Sequence, residues 1–244
     1  MRISVCVPMY NESKIIADTA RKMHEYLCDR FGDDFELIFS DDGSLDNSAD
    51  IVRSLQLKNV KVIGYEKNSG KGCAVRTAIL ASTGETVVFT DADLAYGLDV
   101  IEESINILEK TDYDMLIASR AIHERGYEGY TPLRKVASKC YKSILNIFCG
   151  IKVSDAQCGF KAFTAKAAKS LFSLCETDNF AFDLEVILLA QKMRLKIFEL
   201  PAMIINHRDS NVNILRDAPR MLREAQRIKN RVNNCKHIQN LSNN

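Results

Sequence analysis

The sequence predicts an α/β fold, a mostly parallel central sheet flanked by helices. Short apolar runs alternate with amphipathic helical patterns through the first half of the chain. Successive runs are joined by single helices, the connection that parallel strands need. The polar clusters that follow the runs therefore all fall at one edge, the carboxyl edge, where open α/β sheets bind ligands.

Residues 3–7 (ISVCV) form the first expected strand. A helix over about 13–30 follows, with Ile15, Ile16, Ala20, Met23 and Leu27 at helical spacing and Glu12-Ser13 supplying cap chemistry. Further strands are expected at 35–40, 60–65, 86–90 and 115–119, with helices over 46–57, 71–82 and 98–110 between them. The second half is less regular. A helix over 131–149 opens with Pro132 near its first turn, and residues 155–163 alternate like a strand. Helices follow near 165–175 and 182–193, and a strand at 195–200 is closed by Pro201. A last helix covers 215–232. The expected organisation is one domain over 1–214, the helix 215–232 packed onto it, and a disordered tail over 233–244.

Bulk properties exclude several classes. A net charge of +1 supplies no field for a dedicated nucleic-acid binder, so no nucleic-acid partner is expected. No run approaches the roughly 18 apolar residues of a spanning helix, and Met1-Arg2 leads straight into a strand rather than into a signal core. The expected location is cytoplasmic. The 8 cysteines are spread singly without a CxxC pair, which argues for thiols and against a zinc cage.

The stretch "TDADLAYG" sets Asp91 and Asp93 one residue apart, directly after the apolar run 86–89. Carboxylates that close repel one another and are costly to desolvate. A solvated turn tolerates them; a bound cation uses them. Other clusters reach the same edge: Pro8-Met9-Tyr10-Asn11-Glu12 after the first strand, Asp41-Asp42-Gly43-Ser44 after the second, and Ser119-Arg120 after the fifth. Lys71 lies in Gly70-Lys71-Gly72 just before a helix, where backbone amides attract phosphate.

In order along the chain, "VPMYNES", "SDDGSLDNS", "NSGKGCAVR", "TDADLAYG", "ASR" and "DAQCGFKAF" resemble the family 2 glycosyltransferases. Within that family the chain is most similar to the dolichyl- and polyprenyl-phosphate glycosyltransferases, and "QCGFK" looks like the glucosyl-transferring branch. The resemblance implies a GT-A type nucleotide-sugar-binding fold. It implies transfer of a hexose, with inversion, from a nucleotide-sugar donor (UDP-glucose favoured) to a polyprenyl-phosphate acceptor, with Mg²⁺ or Mn²⁺ as cofactor. Asp93 would be the metal ligand, Asp91 would share the metal or touch the ribose, and Asp91, Ala92 and Asp93 together would bind the nucleotide-sugar. Pro8, Tyr10, Asn11 and Glu12 would hold base and ribose, Asp41 and Asp42 would be base-binding acids beside the tight turn at Gly43, and Lys71 would lie near the nucleotide. Structural alternatives stand beside these: Asn11-Glu12-Ser13 can cap a helix, and the Asp41-Asp42 turn can serve the fold alone.

A lipid phosphate is already an anion, so it needs no general base but needs cations to bring it beside the donor. Arg120, Arg134 and Lys161 meet that need, and Asp155, Gln157, Lys161 and His207 are the acceptor-side candidates. Family members often carry a basic residue where Asn211 stands in Ser210-Asn211-Val212. The last helix sets Ala218, Met221, Ala225, Ile228 and Val232 opposite Arg216, Arg220, Arg223, Arg227 and Arg231. Such a helix either lies on an anionic membrane or packs its apolar side on the domain. Peripheral membrane contact or a membrane-protein partner is therefore open. So are GDP-mannose as donor, a saccharide hydroxyl as acceptor, and a nucleotide-sugar-binding subunit without turnover.

Overall fold

The computed structural model describes residues 1–128, 145–146, 148–206 and 214–235. Seven strands form one sheet: β1 (Ile3–Met9), β2 (Phe35–Asp42), β3 (Val60–Tyr65), β4 (Thr86–Thr90), β5 (Met115–Ser119), β6 (Phe160–Thr164) and β7 (Ile197–Pro201). Their order is β3-β2-β1-β4-β6-β5-β7. Every pairing is parallel except those of β6, which runs antiparallel to both β4 and β5. The helices described are α1 (Ile16–Phe31), α2 (Ser48–Ser54), α3 (Lys71–Ala81), α4 (Asp99–Lys110), α5 (Ala165–Leu174), α6 (Phe182–Lys192) and α7 (Ile214–Asn234).

Helices cover both faces, so the central strands are buried on both sides and mostly apolar rather than alternating. On one face Ile3, Val5, Val7, Phe39 and Val88 pack with Ile16, Met23 and Leu27 of α1 and with Ile101 and Ile105 of α4. On the other, Cys6, Ile38, Phe89 and Phe163 pack with Val75 and Ile79 of α3, Phe172 of α5 and Val186 and Ile187 of α6. The last helix joins this second layer through Ala225, Ile228 and Val232, all buried. No helix among the described residues is long and apolar enough to cross a membrane. The described cysteines are free thiols, four of them buried.

Three expectations shift. The first strand, expected over 3–7, runs on through Pro8 to Met9, with Pro8 beside Ser40 of β2. Pairing with β4 stops at Cys6, so Pro8 has no ladder partner on that side for its missing N–H to fail. The strand read over 155–163 begins only at Phe160. Upstream, Asp155 leaves any ladder to meet Arg120, and the period of two breaks there. The strand expected at 195–200 forms two residues later and includes Pro201. The helix expected over 131–149 falls outside the described residues except at 145–146 and 148–149, which are helical.

At the amino edge of the sheet a buried carboxylate ties three elements together. Glu36 of β2 accepts from Ser4 Oγ of β1, from Thr83 N and Oγ1 before β4, and from Lys61 Nζ of β3 at 2.7 Å. Burial alone would raise its pKa; the donors from Lys61, Ser4 and Thr83 outweigh burial and lower it to about 2. A carboxylate whose folded-state pKa is depressed adds stability above its unfolded value and loses it as pH falls through the folded one. Glu36→Gln is therefore expected to be less stable than the unaltered chain near pH 6, and the gap to close as pH falls from about 4.5 towards about 2. Urea unfolding across that range measures it, and a gap constant with pH would contradict the assignment.

Candidate active site at the carboxyl edge

Parallel β1, β2, β4 and β5 bring four loops to one edge, and antiparallel β6 arrives there by its beginning. Phe160 pairs with Thr90, so Gly159 stands against Asp91. A Cβ on Gly159 would lie 2.1 Å from Asp91 Oδ2, so only glycine leaves room for that carboxylate. The Asp91 Oδ1 atom lies 2.6 Å from Lys71 Nζ. Asp93 Oδ1 accepts from Ala95 N at 3.1 Å, and Leu94 takes the left-handed conformation (φ 53°) that this tight turn requires. Thr19 Oγ1 donates to the Ala92 carbonyl at 2.7 Å, and Asn206 Nδ2 donates to the carbonyls of Asp93 and Leu94. The acidic turn is thus held by its backbone, with two carboxylates at its mouth.

Lys71 opens α3, and its position is set from β2. Asp42 accepts from Tyr65 OH at 2.7 Å, Asn68 Nδ2 at 3.0 Å, Ser69 N at 2.9 Å and Gly70 N at 2.9 Å. Its donors all come from the segment that delivers Lys71. Gly70 and Gly72 let that segment lie against the Asp178 and Thr177 carbonyls, which a Cβ would meet at 2.5 Å and 2.3 Å respectively. Burial works against the charged lysine, but Asp91, Asp183 and Asp93 together leave its pKa raised.

Beneath lies a second pair. Lys161 of β6 is fully buried and donates to Asp183 of α6 and to the Cys158 carbonyl at 2.8 Å. Both ammonium groups approach the Phe89 ring, Lys71 at 5.4 Å and Lys161 at 5.8 Å from its centroid. Phe182 meets the same ring edge-on at 5.7 Å. Burial raises the Asp183 pKa, against the pull of Lys161 and Lys71. Lys161 was expected to touch an acceptor. It lies inside instead, because its position opposite Phe89 points it into the core face.

The remaining expected residues fall around this centre. Tyr10 is on the rim, 41% exposed. Asn11 has a left-handed backbone (φ 55°), and its Oδ1 accepts from Leu45 N at 2.8 Å. Glu12 N donates to Ser48 Oγ at 2.8 Å, lacing the loop after β1 to the start of α2. Asp41 accepts from Ser44 N and Oγ, and Gly43 (φ 67°) lies so near Asn68 N that a Cβ would meet it at 2.6 Å. Arg120 makes a two-pronged pair with buried Asp155, Nε to Oδ2 at 2.6 Å and Nη2 to Oδ1 at 2.9 Å. Burial would lower the Arg120 pKa, and Asp155 more than reverses that. Gln157 sits half-buried in the loop before β6. Arg76 pairs with Asp178 at 2.6 Å. Arg134, His207 and the 210–212 stretch lie outside the described residues.

Sequence reading missed Asp183, Gly159 and Tyr96, whose hydroxyl accepts from Gly159 N at 3.3 Å. A signal existed for the first: a lysine in the apolar run "FKAF" demands a buried counter-ion, and Asp183 is the second residue of the mostly apolar "FDLEVILLA". Among the described residues no group of three or more His, Cys, Asp or Glu side chains converges. Any cation held by Asp91 and Asp93 would therefore complete its shell from a ligand and water, as Mg²⁺ commonly does.

The family model described as Glycosyl transferase family 2 matches residues 4–172. A dolichyl-phosphate beta-glucosyltransferase of Trichomonas vaginalis is 33% identical over 219 residues, covering 85% of this chain and 65% of the relative. The human dolichyl-phosphate beta-glucosyltransferase is 33% identical over 218 residues, covering 82% of this chain and 66% of the relative. The chain thus spans slightly under two thirds of these relatives' length. Among solved structures, glucosyl-3-phosphoglycerate synthase from Mycobacterium tuberculosis, in complex with Mn²⁺, UDP-glucose and phosphoglyceric acid, superposes with a TM-score of 0.68 at 20% identity. The match covers 95% of this chain and 80% of that one, and it shows a shared GT-A type fold.

The inner pair has a measurable consequence. Lys161→Met leaves the buried Asp183 carboxylate without its partner and is expected to cost about 3–5 kcal/mol in urea unfolding. Adding Asp183→Leu should recover most of that loss, since an apolar pair of similar volume carries no desolvation penalty.

Proposed function

The chain belongs to glycosyl transferase family 2, and from that membership we propose that it transfers glucose from UDP-glucose to a polyprenyl phosphate with inversion at the anomeric carbon. The observation that carries this reading is the Asp91-Ala92-Asp93 turn at the end of β4, facing Lys71 at the start of α3. Its support is that the relatives above bear the name dolichyl-phosphate beta-glucosyltransferase, and that the solved neighbour binds UDP-glucose with Mn²⁺.

The residues fit a divalent ion: two oxygen donors at the mouth of one turn, with a glycine cradle that keeps room beside Asp91. Asp93 and Asp91 would hold it, and when bound it supplies Lewis-acid compensation of the leaving diphosphate. Lys71 adds a positive charge at the same place, at the amino end of α3. The Asp42 bonds keep that helix start in position before any ligand arrives.

The acceptor phosphate oxygen attacks the anomeric carbon from the side opposite the diphosphate. The bond from that carbon to the diphosphate oxygen breaks, and the electron pair leaves with UDP. An ionised phosphate needs no proton removed. The buried Asp183 carboxylate beneath the site is committed to Lys161, which suits an acceptor that asks for no base. Arg120, held by Asp155 at the end of β5, is the described cation placed to draw the acceptor phosphate in. The acceptor is a membrane lipid, while the apolar stripe of α7 is occupied by the domain at Ala225, Ile228 and Val232.

A donor screen with short-chain polyprenyl phosphate tests the reading. Transfer is expected with UDP-glucose, to depend on added Mg²⁺ or Mn²⁺, and to fall roughly a hundredfold or more in Asp93→Ala. Gly159→Ala, which crowds Asp91, should weaken Mn²⁺ binding followed by electron paramagnetic resonance. Preferred turnover of GDP-mannose would reassign the donor, and nucleotide binding without turnover of any sugar would favour a binding subunit.

A further inference from the structure

Phe180 is 71% exposed, the second most exposed of the large apolar side chains described. A lone exposed ring on a free surface loop carries no meaning. This ring lies at the active edge, with the Lys71 ammonium 5.9 Å from its centroid, and that ammonium is the one paired with Asp91. Lys71 thus passes between a buried ring, Phe89, and an exposed one, Phe180.

The backbone that presents Phe180 is tied on both sides. Before it, the Asp178 carbonyl accepts from Cys73 N at 3.1 Å and the Asp178 carboxylate from Arg76 at 2.6 Å. Asn179 Oδ1 accepts from Ala181 N at 2.8 Å across the ring's own residue, and Asn179 Nδ2 donates to Glu224 of α7. Further back, buried Glu185 accepts from Thr177 N at 2.7 Å and Glu176 N at 3.0 Å, and is itself held by Arg231 at 2.6 Å. After it, Phe182 and Asp183 are locked against Phe89 and Lys161. An aromatic ring held in place before its partner arrives loses little entropy on contact.

We propose that Phe180 is the stacking surface for the hexose ring of the donor, a positioning residue that sets the anomeric carbon over the site. This rests on the nucleotide-sugar reading above. A diphosphate bound at Asp91, Asp93 and Lys71 carries two substituents. On that reading the nucleoside would be held by the loops after β1 and β2. The segment that carries Phe180 meets the start of α3 through Asp178 and packs α6 over β4 and β6 through Phe182 and Asp183, so its ring borders the diphosphate site at Lys71. With the nucleoside held by those loops, the substituent left for Phe180 is the sugar. A glucopyranose ring with all its hydroxyls equatorial presents axial C–H bonds to an aromatic face while those hydroxyls remain free for polar contacts.

The chain contains no tryptophan, so Phe180→Trp introduces a single fluorescent reporter at this spot. In Mg²⁺ buffer its emission is expected to change more with UDP-glucose than with UDP, whose diphosphate reaches only Lys71 beside the ring. By calorimetry, Phe180→Ala should raise the UDP-glucose Kd on the order of tenfold and leave the UDP Kd as it was. If Phe180→Ala weakens both ligands alike, or neither, the ring serves only the Lys71–Asp91 pair or nothing at the site, and the proposal is overturned. Equal emission changes with UDP and UDP-glucose overturn it as well. An unaltered chain that binds neither ligand overturns the proposed function itself, a different result from an unaltered chain that binds both and a variant that matches it.

Discussion

The Asp91 carboxylate can stand at the end of a buried strand because the Lys71 ammonium is 2.6 Å away and Gly159 leaves it room. Neither condition is local. The lysine comes from the start of α3, the glycine from the entry to β6, and Asp183 and Lys161 lie close beneath. Removing a partner from the buried Lys161–Asp183 pair exposes the full desolvation cost of the one left behind, while Lys71 and Asp91 are part-exposed and lose less. The four charges and the Phe89 ring between the two lysines therefore act as one unit, and the packing of α3, β4, β6 and α6 is constrained by it.

Polar chemistry elsewhere at this edge works outward from the same centre. Asp42 delivers Gly70 and so Lys71; Thr19 and Asn206 fix the carbonyls of the acidic turn; Asp155 orients Arg120. Each of these residues meets protein partners before any ligand is present. The site is preorganised by hydrogen bonds whose formation belongs to folding, which spares that cost at binding.

The last helix has a place in this order. Arg231 reaches buried Glu185 and the Thr177 hydroxyl, and Lys192 donates to the last carbonyls of α7 at Val232 and Asn233. The apolar stripe at Ala225, Ile228 and Val232 faces the domain. Of the two roles a basic amphipathic helix can take, packing accounts for this part of α7. Through Glu185 the helix also braces the loop that carries Phe180, which links the end of the chain to the rim of the site.

Periodicity and turn chemistry were enough to place β3, β4 and β5 at their observed limits, to put α1 and α4 on the sheet, and to send the acidic doublet to the carboxyl edge. Those features depend on neighbours a few residues apart, which a sequence shows directly. Antiparallel β6, by contrast, is shorter than its alternation predicts, because the pattern in "DAQCGFKAF" does not reveal that Asp155 is drawn away by Arg120. Nothing near Lys161 in the sequence names its counter-ion, which lies 22 residues further on, in a helix with no spacing relation to it. Which charge meets which is a matter of tertiary contact. Patterning chooses the face a residue presents, and packing chooses its partner.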